Sequence, residues 1–256
     1  MTVCLSAKEL LCIAALLGVS EVIAVPDAFQ NVPPNRLREE IQNTQQSLEQ
    51  KGLLALDFDG NCTLTPTYLP ILETMLKGSK VILIDAQLHH RGQASCAYYI
   101  SGRYVVRSVP KDGAFELSKI SAEQAAEELC GGINWVLGGR LSCKPLLISQ
   151  KQLNQIKAAD PLNEFQKLGV DDKLGVVIAD ALLFKTNYYS FAFLDRRSGG
   201  RLISLIFIDD VRGALKLIPT VENDQNYVLI EAADQEQLKV ELAEAVRDTL
   251  QTGKED

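Results

Sequence analysis

Histidine is scarce in this chain, with two copies in 256 residues. A Ser/His/Asp or Cys/His centre needs a histidine as its base, so few positions qualify. The two are adjacent, His89 and His90, and neighbouring strand residues point to opposite faces, so they do not easily share one metal. The six cysteines, Cys4, Cys12, Cys62, Cys96, Cys130 and Cys143, include no C-x-x-C pair and no Cys/His spacing suited to zinc. They read as buried reduced thiols of an intracellular protein, because a chain of this length does not need disulfide staples. G-x-x-x-x-G-K-[ST], G-x-G-x-x-G and G-x-S-x-G are all missing, which removes the familiar phosphate-cradling and hydrolase loops. No apolar run reaches the roughly 18 to 20 residues that span a bilayer. Positive charge is also short, and a net charge of -7 opposes binding to phosphate backbones or anionic lipid.

Hydrophobic residues make up 46% of the chain and charged ones 23%, as in ordinary folded domains, and the length can bury a sizeable core. The apolar stretch Leu10 to Val19 is long enough for the core of a signal peptide. Its flank reads otherwise, since Lys8 is followed at once by Glu9 and Ser6-x-x-Glu9 is a capping box that opens a helix. Leu10, Ile13 and Leu17 then fall on one face, and Gly18 ends it.

Pro33-Pro34-Asn35 predicts a turn and cap, with Leu37, Ile41 and Leu48 on one face of a second helix ending at Gly52. Leu54 to Phe58 and Cys62 to Leu64 alternate about Asp59-Gly60-Asn61, the pattern of a hairpin. Thr65-Pro66 offers a cap for a third helix with Leu69, Leu72 and Leu76, stopped by Gly78. Helix, helix, hairpin, helix is a winged-helix outline. Strands are expected at Val81 to Leu88, Gln93 to Ile100, Arg103 to Val109 and Ala114 to Leu117, with links too short for anything but antiparallel pairing. Ser121-x-x-Gln124 caps a helix ending at Gly131-Gly132, and residues 133–148 read as a linker.

The order then repeats. Ser149-x-x-Gln152 and Asp160-Pro161 open helices, a third runs from Asp172 to Phe184, and Asp234 caps a last helix with Leu238, Leu242 and Val246 inward. Between them, strands are expected at Asn187 to Leu194, Arg201 to Ile208, Val211 to Ile218 and Tyr227 to Glu231. Arg91-Gly92 matches Ser198-Gly199, and Val109-Pro110 matches Ile218-Pro219, each roughly 107 to 109 residues apart. The expectation is an α+β chain of two pseudo-twofold-related halves, 1–132 and 149–256, forming a single compact unit. Each half has a helical, winged-helix-like part and an antiparallel β-meander.

Three chemistries compete for this frame. Leu56-Asp57-Phe58-Asp59-Gly60 resembles the nucleophile strand of haloacid-dehalogenase phosphatases, with Asp57 and Asp59 as acid pair and Asp209-Asp210 as magnesium ligands. That chemistry sits on a parallel sheet with helical crossovers, for which residues 80–118 leave no room, and a hairpin turn explains Asp59-Gly60 by itself. A winged-helix DNA contact has Arg36 and Arg38 in its favour, but Glu39, Glu40 and Glu49 share the same helix. The third reading is protein binding at two cationic hairpin ends, His89, His90, Arg91, Gly92 and Gln93 in the first half and Arg196, Arg197 and Arg201 in the second.

With these features assembled, the chain resembles the EspG family, cytosolic chaperones of ESX (type VII) secretion. The resemblance rests on Leu-Ser-Ala-Lys-Glu-Leu-Leu at 5–11, on Ser47-Leu48-Glu49-Gln50-Lys51-Gly52-Leu53-Leu54, on Val81-Ile82-Leu83-Ile84-Asp85, and on the duplicated plan. It implies a non-enzymatic cytoplasmic chaperone or adaptor for a helical secreted substrate, with no cofactor, metal, nucleic acid or membrane partner. The mycobacterial members hold the tip of helical PE–PPE pairs. The family's substrate-binding loop joins strands of the first meander, corresponding by order to Leu88 to Gln93.

Overall fold

The computed structural model describes residues 1–56, 62–88, 92–133, 135, 141, 144–158, 160–183, 185–197, 199–209 and 212–251. Two compact units divide the chain, one built from 1–81, 96–125 and 250–256, the other from 82–95 and 126–249. Neither is a single stretch of sequence.

Unit one begins with β1 (Thr2–Ser6), α1 (Ala7–Leu16) and α2 (Pro34–Gln50). The expected capping box forms, with the Ser6 side chain accepting from the Glu9 backbone and the Glu9 carboxylate accepting from the Ser6 N–H. Gly18 and Gly52 adopt φ of 70° and 68°, as helix-ending glycines do. β2 (Leu54–Leu56) and β3 (Cys62–Leu64) pair antiparallel as the expected hairpin. The next helix, α3 (Leu69–Lys77), begins later than Thr65-Pro66 suggests. Pro70 takes the first-turn position that a proline tolerates, and the Thr65 hydroxyl instead donates to the Gly52 carbonyl at 2.7 Å.

β5 (Gly92–Ser101), β6 (Tyr104–Lys111) and β7 (Ala114–Ile120) follow, and β1 pairs with β7, giving the order β1-β7-β6-β5. β1 has no counterpart in the sequence expectations, because a five-residue edge strand with exposed Thr2 and Cys4 gives little alternation to read. The core gathers Leu5, Leu10, Ile13, Leu48, Leu72, Met75, Leu76, Tyr99 and Leu117. Leu37 is a correction to the expected apolar face of α2. It stands 37% exposed, and the buried positions of that helix are Thr44 and Leu48.

Unit two contains most of β4 (Lys80–Leu88), the first residues of β5, β8 (Leu146–Ser149), α5 (Gln150–Ala158), α6 (Pro161–Lys167) and α7 (Asp172–Leu182). It continues through β9 (Asn187–Asp195), β10 (Gly199–Asp209), β11 (Gly213–Glu222) and β12 (Gln225–Ala233) to α8 (Gln235–Gln251). α4 (Ala122–Gly131) runs from one unit into the other. The strand order in unit two is β5-β4-β9-β10-β11-β12-β8. β8 occupies the end of the stretch read as a linker. Like β1, it pairs antiparallel with the last strand of a meander and leads into a helix opened by a capping box, Ser6 with Glu9 there and Ser149 with Gln152 here. Phe165, Val177, Ile178, Leu182, Phe207, Leu215 and Ile230 form its core.

The eight helices among the described residues and the antiparallel pairings make the chain α+β. No described helix is long and apolar enough to cross a membrane. The cysteine expectation needs correcting. Cys12 is buried, but Cys62, Cys96 and Cys130 are half-buried and Cys4 is exposed, while Cys143 lies outside the described residues.

Candidate functional site

The two cationic hairpin ends both belong to unit two. In the first, β4 leads to residues 89–91, so His89, His90 and Arg91 lie outside the described residues, and Gly92 opens β5. Gln93 is exposed, and its amide donates to Asp85 Oδ1 at 3.1 Å. The same oxygen accepts the Ser95 hydroxyl at 2.6 Å, and Oδ2 accepts the Tyr188 hydroxyl at 3.2 Å. One half-buried carboxylate thus ties β4 to β5 on one side and to β9 on the other. Burial pushes the Tyr188 phenol above its ordinary value, and the Asp85 charge and hydrogen bond add to the rise. Tyr188 also packs on Phe207, with ring centroids 5.7 Å apart.

In the sequence, Asp85 stands out only as the last residue of the motif Val81-Ile82-Leu83-Ile84-Asp85. A carboxylate closing the apolar run Val81-Ile82-Leu83-Ile84 is the signal the sequence offers, since a half-buried carboxylate in a strand needs hydrogen-bond donors. Asp85→Ala is expected to cost about 2 kcal/mol, because three donors lose their acceptor together. Denaturant unfolding checks the loss, and faster amide exchange at Gln93 to Ser95 locates it.

In the second hairpin, Arg196 and Arg197 sit exposed at the turn between β9 and β10. The Arg197 backbone N–H donates to Asp195 Oδ1 at 2.8 Å, an Asx-type turn that fixes the loop with its own side chain. Arg201 pairs in register with Phe193, one step before an irregularity at Leu202/Ser204. The hydrogen bonds of Gln93 and of the Arg197 backbone each run to a carboxylate of their own hairpin.

The competing chemistries gain little. β2 leads toward Asp57 as one arm of an antiparallel hairpin, not as a strand of a parallel sheet, and Asp57 and Asp59 lie outside the described residues, as does Asp210. No group of three or more potential metal ligands occurs among the described residues. On α2, Arg36 and Arg38 are exposed beside exposed Glu39, while Glu40 pairs with Lys8 at 2.6 Å. That helix therefore presents mixed charge.

No family model and no curated protein matches the sequence. The fold does have a relative. A solved structure of the Mycobacterium tuberculosis type VII secretion system chaperone EspG5 in complex with a PE25-PPE41 dimer matches 98% of this chain and 97% of that one. The TM-score is 0.59 at 9% sequence identity, so the likeness is one of fold along nearly the whole length of both chains. The α+β architecture expected from the sequence is therefore EspG-like.

Proposed function

We propose that this chain is a non-enzymatic chaperone or adaptor that binds a helical secreted substrate of a type VII (ESX-like) secretion system in the cytoplasm. The observation that carries the reading is the end-to-end likeness of fold to a chaperone solved with its PE25-PPE41 dimer. Masking an apolar helical tip needs a preformed surface and no reactive group. The two cationic hairpin ends supply candidates for that surface, Leu88 to Gln93 first and Arg196 with Arg197 second. Duplication of residues 1–132 as 149–256 belongs to the same proposal. Its support is the shared order of edge strand, Ser-capped helix and four-stranded meander.

The test is co-purification with paired helical proteins encoded beside the gene. His90→Ala with Arg91→Glu is expected to weaken capture by about 1 to 3 kcal/mol, as loss and reversal of interface charge does. Thermal stability should stay within about 0.5 kcal/mol, as for substitutions at positions expected from the sequence to form a turn. Arg196→Glu with Arg197→Glu is the parallel variant. Loss of capture by this second variant alone moves the surface to the other hairpin. Full capture by both variants, with both folded, removes the hairpin ends from the proposal.

A further inference from the structure

Unit one carries a cationic cluster that the proposed substrate loops do not use. Gly102, at φ 52°, turns the chain between β5 and β6 and is followed by Arg103 and Tyr104. Arg103 Nη2 donates to the Tyr104 hydroxyl oxygen at 3.2 Å, and its guanidinium carbon lies 5.3 Å from the ring centroid. From β7, Lys119 reaches the same ring, its ammonium 4.1 Å from the centroid. Lys119 is opposite Val106 in the ladder, so it meets Tyr104 along the diagonal on which long side chains touch. Arg103 and Lys119 are exposed and Tyr104 is half-buried.

Two like charges held over one ring repel each other, and among the described residues no carboxylate pairs with either. The phenol oxygen accepts from Arg103, which leaves its own proton to be donated outward. Guanidinium, ammonium and phenol together make three kinds of donor around an aromatic platform. The Arg103 hydrogen bond and charge, with the Lys119 charge, hold the Tyr104 phenol below its ordinary value of 10.0. The chain as a whole carries -7, so a long polyanion such as nucleic acid accumulates repulsion along its length, whereas a short carboxylate-bearing segment meets chiefly the local cations.

We propose that Arg103, Tyr104 and Lys119 form a receptor for a carboxylate of an acidic peptide segment. The carboxylate bridges the two cations and accepts the Tyr104 hydroxyl. This site is independent of the hairpin ends in unit two.

The experiment is calorimetric titration of the whole protein with an acetylated, amidated tetraglutamate peptide. The expected result is saturable binding that weakens with salt, and loss of about tenfold or more in affinity for Arg103→Ala with Lys119→Ala. Tyr104→Phe should weaken binding less, and the tetraglutamine counterpart should not bind. Ultraviolet difference titration gives a second readout. Bound peptide should move the Tyr104 phenol upward, a change missing from Tyr104→Phe. Equal affinity of the folded double variant and the parent overturns the proposal, as does equal binding of the glutamine peptide. Tighter binding of inorganic phosphate or of a short oligothymidylate than of the glutamate peptide overturns the assigned ligand class.

Discussion

Replacing Gly78 by alanine should destabilise the protein by about 3 kcal/mol, a large loss for one methyl group. The backbone is not the obstacle, because Gly78 sits at φ -52° and ψ 135°, which alanine adopts freely. Space is the obstacle. A Cβ there would lie 2.4 Å from the Thr74 carbonyl oxygen and 2.9 Å from that of Ile100. Both are main-chain atoms, one in α3 and one in β5, so neither swings aside as a side chain tip can. Gly52 is the matching control. At φ 68° it has nothing within 4 Å of its would-be Cβ, so alanine there meets only the left-handed penalty of about 1 kcal/mol. Urea unfolding of both variants separates the two causes, and similar small losses would show that α3 and β5 do not meet as closely as described.

The second large effect belongs to Glu9, which is 3% exposed although charged. Burial is the largest single influence and pushes its carboxyl up. The bond from Lys51, the Ser6 backbone N–H and the Ser47 hydroxyl, with the Lys51 charge, outweigh it and hold the carboxyl below its ordinary 4.5. Lys51 lies 2.7 Å from Oε1, and Ser47 donates to that oxygen at 2.8 Å. Glu9→Gln is expected to cost about 2 to 3 kcal/mol at neutral pH, less than a fully buried pair because the Lys51 side chain is 42% exposed. The sign with pH follows from the lowered value. The stability Glu9 contributes is fully present above the unfolded carboxyl's value and is lost as pH falls through the lower folded one. Stability should therefore fall in acid for the parent and fall less for Glu9→Gln. Unfolding midpoints measured from neutral pH into acid check this, and parallel curves would refute the coupling.

Local signals were the legible ones. Ser6-x-x-Glu9, Ser121-x-x-Gln124 and Ser149-x-x-Gln152 all form boxes at helix starts, because a cap needs only residues within one turn. The meanders were readable for the same reason, since tight links force neighbours to pair. What escaped depends on residues far away in sequence. β1 and β8 are short strands defined by partners more than 70 residues away, Ser118 for Thr2 and Tyr227 for Ser149. Asp85 joins β9 through Tyr188, 103 positions on. Glu9 looked like a cap alone, and its ties to Ser47 and Lys51 appear only once α1 packs on α2. The cationic pair on Tyr104 is likewise split between the β5–β6 turn and β7.

The interleaving of the two units sets a timetable for synthesis. β4 opens at Lys80, and its neighbour β9 opens at Asn187. At about 5 to 20 residues per second, the ribosome needs on the order of 5 to 20 seconds to supply that partner. Until then the β9-facing edge of β4, with the apolar run Val81 to Ile84, waits unpaired as the nascent chain lengthens. A holding factor at the ribosome, or a slowed cell at low temperature, should therefore change the yield of this protein more than its final stability.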